Sequence, residues 1–219
     1  MRPLPRPRAV MIDLDGTLVD TLGDFDLALN AMLADLGLPA VDRAFIERSV
    51  GKGSEHLIAA TLSQAGAGPG LQPRAWDRYQ RHYLRINGSA AAVYPGVVEG
   101  LQRLRALGLP LACLTNKPAA FARPLLQRLG LEGYFAHVFG GDDFPRKKPD
   151  PLPLLETCKA LGTAPAATLM VGDSGNDAQA ARAAGCPVVL VDYGYNHGRP
   201  VGAEDADGVI GRLDALAFD

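Results

Sequence analysis

An α/β fold, with a parallel-sheet core and an inserted all-helical cap, is predicted by three features of the chain. From residue 94 onward, short and nearly continuous apolar runs alternate with helical patterns, as strands buried on both faces of a parallel sheet require. One further run of that kind, Ala9 to Ile12, stands alone near the start. Between the two, from about residue 20 to residue 90, apolar residues recur only at helical spacing.

Ala9 to Ile12 reads as the first strand. From Thr21 to Leu36 the apolar positions Leu22, Phe25, Leu29, Leu33 and Leu36 mark a helix, which Gly37 and Pro39 stop. Asp42 is placed to cap a short helix carrying Phe45, Ile46 and Val50. The loop GKGSE leads to a third helix with Leu57, Ile58 and Leu62, and AGAGPG breaks the chain after it. Pro73 opens a fourth, with Trp76, Tyr79, Tyr83 and Ile86 roughly on one side. After Tyr94-Pro95-Gly96, a helix with Val97, Leu101 and Leu104 leads to a strand at Leu109 to Leu114. A helix ending near Gly130, with Pro124 inside it, leads to a strand at His137 to Phe139. A helix with Leu154, Leu155, Cys158 and Leu161 leads to Thr168 to Val171. The small-residue helix Asn176 to Ala184 leads to Val188 to Val191. The expected architecture is a Rossmann-like core, residues 1–19 and 93–219, with residues 20–92 as the helical cap.

A length of 219 residues suits one large domain, or one domain holding a smaller insertion. Hydrophobic residues make up 47%, enough for a substantial core. A formal net charge of −2 gives no reason to expect nucleic acid or an anionic membrane as a partner. No apolar run approaches the ~20 residues of a membrane span. The opening MRPLPRPR reads as a frayed tail, with no signal-peptide core behind it. Cys113, Cys158 and Cys186 are far apart in sequence and have no metal-type spacing; they read as reduced thiols in a cytoplasmic protein.

Ligands of open α/β sheets bind beyond the carboxyl ends of the strands. Four such ends carry polar groups here: Asp13 and Asp15, Thr115 and Asn116, Lys147 and Lys148, Asp173 and Asp177. Four carboxylates in one cleft repel unless a cation neutralises them, and an all-oxygen donor set favours a hard ion, Mg2+ first. Thr115 and Asn116 offer donors near a helix start, a favourable place for an anion, and Lys148 adds a positive charge. Together these suit a phosphoryl group. Residues two apart on a strand share a face, so Asp13 can attack phosphorus while Asp15, entering the turn at Gly16, handles protons.

DLDGT, LTN, the lysine of KKPDP and GDSGND resemble, in that order, the four motifs of the haloacid dehalogenase superfamily. The resemblance implies Asp13 as nucleophile, Asp15 as general acid and base, Thr115 and Asn116 as phosphoryl-holding residues, and Lys148 as the group that orients the nucleophile. It also implies a Mg2+ site made by Asp13, the backbone carbonyl of Asp15 and Asp173, with Asp177 a ligand or a supporting partner. DLDGTLVDT, YPGVVEGLQRLRALG, LTNKP, GGDDFPRKKPDP, VGDSGNDAQAARAAG and DYGYN are similar to phosphoglycolate phosphatases, which implies 2-phosphoglycolate as substrate and a monomer or homodimer acting on a small phosphorylated metabolite.

The remaining polar residues take plainer expectations. GKGS is not a nucleotide loop, because Gly53 and Ile46 stand where that loop needs other residues. Lys52 within it is a candidate for substrate specificity, since a loop in this region of capped relatives often reaches the substrate. Lys147, Asp142 and Asp143 read as solvated charges. Arg81, His82, His137 and His197 read as surface or structural, Trp76 as cap core, and Cys113 as a packed strand residue. Two rival functions stand: a sugar-phosphate mutase of the same superfamily, and a signalling module that is phosphorylated on aspartate without turnover.

Overall fold

The computed structural model describes residues 4–219. Strand β1, Ala9–Ile12, runs through the middle of a six-stranded parallel sheet, and all four of its residues are buried. On one side lie β4, Leu111–Leu114, and then β5, His137–Phe139. On the other lie β6, Thr168–Gly172, then β7, Val188–Val191, then β8, Gly208–Ile210. Val10 stands opposite Leu111 in one neighbour and Leu169 in the other. The chain runs outward from β1 to β4 and β5 and then crosses back past β1 to β6, so the strand order reverses beside β1 and a crevice opens at its carboxyl end.

The two-residue period of β1 sorts its side chains between two cores. Val10 and Ile12 pack with Val97, Leu101, Ala122 and Leu125 of α5, Val97–Ala106, and α6, Ala119–Arg128. Met11 packs with Leu154, Cys158, Ala178 and Ala181 of α7, Leu152–Leu161, and α8, Gly175–Ala184. Small residues on α8 let it lie close on the sheet.

Four helices follow β1: α1, Leu22–Asp35; α2, Arg43–Ser49; α3, Ser54–Gln64; and α4, Gln72–Ile86. They bury a separate apolar cluster that includes Phe25, Leu29, Ile46, Ile58, Tyr79 and Tyr83, joined by Phe121 from α6. Asp42 caps α2 as expected, accepting from Phe45 N at 2.6 Å. Both chain crossings into this layer pass through one antiparallel ribbon, β2, Val19–Asp20, paired with β3, Ala92–Val93. Asp24, fully buried, accepts from the backbone N–H groups of Gly88 at 2.5 Å and Ala90 at 2.8 Å, and so ties the first helix to the returning strand.

Several expectations need correction. The ribbon and β8 went unforeseen because two- and three-residue strands are too short to show a period. Strand β4 begins at Leu111, two residues later than expected, after Pro110, which has no N–H for a ladder. Helix α6 continues through Pro124. Residues Met1–Pro3 of the expected tail lie outside the described residues, but Leu4 pairs with Phe218 and Arg8 N donates to Ala167 O at 2.7 Å, so this part of the tail joins the sheet's end. Cys158 and Cys186, distant in sequence, have sulfurs 3.9 Å apart between α7 and the entry to β7. Trp76 is half-buried at the margin of the helical cluster. Among the described residues, no helix is long and apolar enough to cross a membrane.

Replacing Asp24 by Ala removes a charged acceptor from two backbone donors and is expected to lower stability by about 3 kcal/mol. Urea unfolding checks this, and an unchanged midpoint would show that the tie carries no net energy.

Candidate active site

The site forms where β1 ends. Asp13 N still donates to Val171 O of β6 at 2.9 Å; the chain then leaves the ladder, and Leu14 O accepts from Thr17 N, Leu18 N and Val19 N at 3.3, 3.0 and 3.0 Å, closing a single tight turn. Gly16 turns the backbone at φ +83°, and a Cβ there would collide with Asp173 Oδ2. The turn therefore needs glycine for conformation and for space at once. It leaves Asp13 and Asp15 facing different partners.

Asp13 is 8% exposed. Lys148 Nζ lies 3.0 Å from its Oδ1, an ion pair out of line for a hydrogen bond. The same ammonium donates to Asp177 Oδ1 at 2.7 Å and to Leu114 O at 2.8 Å. Asp177 Oδ2 accepts from Ser174 Oγ at 3.0 Å, Ser174 N at 3.2 Å and Asp173 N at 3.3 Å, the start of α8. Both oxygens of Asp177 are thus engaged. Asp173 Oδ2 accepts from Tyr195 N at 2.6 Å.

One oxygen from each of Asp13, Asp173 and Asp177 fits within 4.8 Å of the others. Burial pushes the Asp13 carboxyl up to about 7, against the pull of Lys148 and with a further push from Asp177. Burial likewise raises Asp173 well above the ordinary carboxylate range, with Asp177 and Asp13 adding to it. Burial also works against the charge of Lys148, but Asp13 and Asp177 outweigh it and hold the ammonium above its usual value. One lysine thus faces three buried carboxylates, and an all-oxygen cluster with uncompensated charge fits a hard divalent cation.

Asp15 belongs to a second pair. Lys117 Nζ donates to its two oxygens at 2.9 and 3.3 Å, and Thr21 Oγ1 donates to Oδ1 at 2.8 Å. Lys117 is buried, with its ammonium 4.4 Å from the ring centre of Phe25 and 4.7 Å from that of Tyr83. Sequence reasoning passed over Lys117, although it stands inside LTNKP; its adjacency to Thr115 and Asn116 was the available signal. Tyr195, in DYGYN, was also unassigned. Its hydroxyl accepts from Thr21 N at 3.0 Å and Leu22 N at 3.2 Å, so it fixes the entry to α1.

Thr115 and Asn116 sit at the end of β4, as expected. Thr115 Oγ1 accepts from Lys117 N at 3.1 Å. The Asn116 amide is already committed: it donates to Gly51 O at 2.9 Å and Lys148 O at 2.8 Å, and accepts from Lys148 N at 3.0 Å. That side chain clamps the two loops and leaves the backbone N–H to offer an anion. Asp13, Asp15, Thr115, Asn116 and Lys117 meet Gly51, Gly53 and Ser54 around a cavity of about 20 Å³. Lys52 is exposed and does not line it. Lys147, expected to be solvated, pairs with Glu55 of α3 at 2.8 Å. Asp142 and Asp143 cap local backbone N–H groups, accepting from Ala119 N and Gly140 N. His197 contacts Asn176 Nδ2 and Arg48 O, both at 3.3 Å.

The family model of haloacid dehalogenase-like hydrolases matches residues 7–185. This chain belongs to that hydrolase family. It is 46% identical to a phosphoglycolate phosphatase of Thiobacillus denitrificans, over 100% of this chain and 98% of the relative. It is 48% identical to a phosphoglycolate phosphatase of Nitrosospira multiformis, over 96% and 94% of the two chains. Among solved structures it resembles one from Haemophilus somnus 129pt described as a predicted phosphoglycolate phosphatase, with TM-score 0.91, 32% identity and coverage of 95% and 96%. The fold and the phosphoric monoester hydrolase class expected from the motifs both hold.

The raised carboxyl of Asp13 makes stability of this hydrolase pH-dependent. Between about pH 4 and pH 7 the folded protein keeps a proton that the unfolded chain has lost, so this residue's contribution falls as pH rises and its penalty is complete above about 7. In chelator-treated protein, Asp13→Asn is therefore expected to gain thermal stability relative to wild type as pH rises from about 5 to about 8. A constant difference between the two melting temperatures would contradict it.

Proposed function

We propose that this hydrolase uses Mg2+ to hydrolyse a small phosphomonoester, 2-phosphoglycolate, to glycolate and phosphate through an aspartyl-phosphate intermediate. The observation that carries the mechanism is the sorting of neighbouring carboxylates between two lysines: Asp13 with Lys148, Asp15 with Lys117. Two acids placed in different surroundings can take different roles. The names and near full-length coverage of the two relatives support the substrate.

Residues 1–19 and 93–219 form the catalytic core of this reading and residues 20–92 the cap. Asp13 attacks phosphorus and Asp15 protonates the departing alkoxide. Asp15 then takes a proton from water, whose oxygen attacks the phosphorus and frees Asp13. Thr115 and the backbone N–H of Asn116 hold the phosphoryl oxygens. Lys148 orients Asp13 and, against the effect of burial, draws its carboxyl toward the charged, attacking form. Asp13, the carbonyl of Asp15 and Asp173 would hold Mg2+, which when bound offsets carboxylate repulsion and charge on the phosphoryl group. The engaged oxygens of Asp177 support a positioning role for it, fixing Lys148 and the start of α8. The narrow cavity supports a cap that opens for substrate and then excludes bulk water. Three free cysteines support a cytoplasmic location, and the enzyme is read as a monomer or homodimer.

Inorganic phosphate release from a panel of phosphomonoesters with Mg2+ tests the reading; an isomerised sugar phosphate in its place would favour a mutase. Asp13→Asn is expected to lower kcat by more than about 10⁴-fold, because an amide is a poor nucleophile. Full activity would defeat the mechanism. Asp15→Ala is expected to lower steady-state turnover by about 10² to 10⁴-fold. With p-nitrophenyl phosphate, whose leaving group needs no proton, that variant should still give a burst of nitrophenolate and accumulate phosphoenzyme. An unchanged turnover rate would remove Asp15 from the mechanism.

A further inference from the structure

Lys117 is the one basic residue among those lining the cavity. Its ammonium is buried, and among the described residues Asp15 is its only ion-pair partner. A buried lysine is costly unless its donors are used, and it has three of them. The rings of Phe25 and Tyr83 stand over the rest of the charge, at 4.4 and 4.7 Å. Those rings come from α1 and α4, whereas Lys117 follows β4, so the cation is enclosed only while the helical layer sits on the sheet.

We infer that Lys117 is the carboxylate-recognition group of this site, and that it selects phosphate esters carrying a carboxylate beside the ester carbon. This rests on the phosphatase reading and deepens it. Thr115, Asn116 and Lys117 are successive residues at one strand end and all three line the cavity, so an anion held by the first two shares that space with the Lys117 ammonium, the one basic group in the lining. In 2-phosphoglycolate a single carbon separates the bridging oxygen from the carboxylate, which keeps both charged groups within one strand end's reach. The substrate carboxylate shares the ammonium with Asp15, while Thr21 Oγ1 keeps its hold on Asp15. A neutral group in that position would leave the ammonium with no new partner and would pay its own desolvation for nothing. Lys52, the residue that the loop pattern suggested for this task, is exposed and stands outside the cavity lining. Closure of the cap completes the aromatic cradle, so carboxylate binding and closure favour one another.

Two comparisons test the inference in the Mg2+-loaded enzyme. The first is the ratio of kcat/KM for 2-phosphoglycolate to that for 2-hydroxyethyl phosphate, in which a neutral alcohol replaces the carboxylate. Lys117→Met, and Lys117→Gln as a second variant, are expected to reduce that ratio by about 100-fold. The second is calorimetric binding of 3-phosphonopropionate against propylphosphonate. Wild type should prefer the carboxylated compound, and both variants should lose that preference while melting cooperatively. Equal losses on both substrates, or no preference between the phosphonates in wild type, would overturn the assignment and leave Lys117 as a positioning partner of Asp15. Should wild type hydrolyse other phosphomonoesters but not 2-phosphoglycolate, the substrate reading fails by itself, and the phosphonate pair still decides the role of Lys117.

Discussion

Burying acid groups together at one end of a sheet is the constraint around which this molecule is arranged. Asp13, Asp173 and Asp177 converge within a few ångströms, and a single ammonium, Lys148, lies among them. Taking such charges out of water costs several kcal/mol each unless partners compensate. The protein compensates unevenly. Asp177 receives a lysine and three donors from the start of α8, while Asp13 and Asp173 are left with carboxyls pushed far above their ordinary range. The residual negative charge is what a divalent cation would satisfy. Stability is given up locally where these carboxylates gather.

The backbone pays attention to the same constraint. Gly16 lets the turn after β1 lie directly against Asp173, and Gly172 does the same for Asp177, whose carboxyl occupies the space a Cβ would take. The sheet then closes the assembly from below: β1, β4 and β6 are neighbours, so their ends deliver Asp13, Thr115 and Asp173 to one place. From above, the Asn116 amide joins Gly51 to the backbone of Lys148, and Lys147 reaches Glu55. A short set of polar contacts thereby couples the helical layer to the chemistry, with the apolar contribution of Phe121 behind it.

Much of this was legible beforehand because the signals were local or strongly periodic. Apolar runs of four or five residues between helices identify the buried strands. Carboxylates at the ends of such runs have no packing reason to be there, which is why Asp13, Asp15 and Asp173 stood out. Lys117 was overlooked for the opposite reason: a lysine after a strand end reads as solvated, and its burial comes from rings on α1 and α4 more than thirty residues away in sequence. Asn116 was read as a free amide because nothing local announces that Gly51 and Lys148 will occupy it.

The sequence by itself determined the order of the α-helices and of five of the six sheet strands, the helical stretch after β1 and the grouping of acids with a lysine at strand ends, since periodicity and residue chemistry are properties of short segments. Only the tertiary structure decided how the charges divide: Lys148 to Asp13 and Asp177, Lys117 to Asp15 beneath two aromatic rings, and Lys52 outward. The reason is that ion pairing and desolvation depend on distances between residues remote along the chain, and those distances exist only once the sheet and the helices above it have closed on one another.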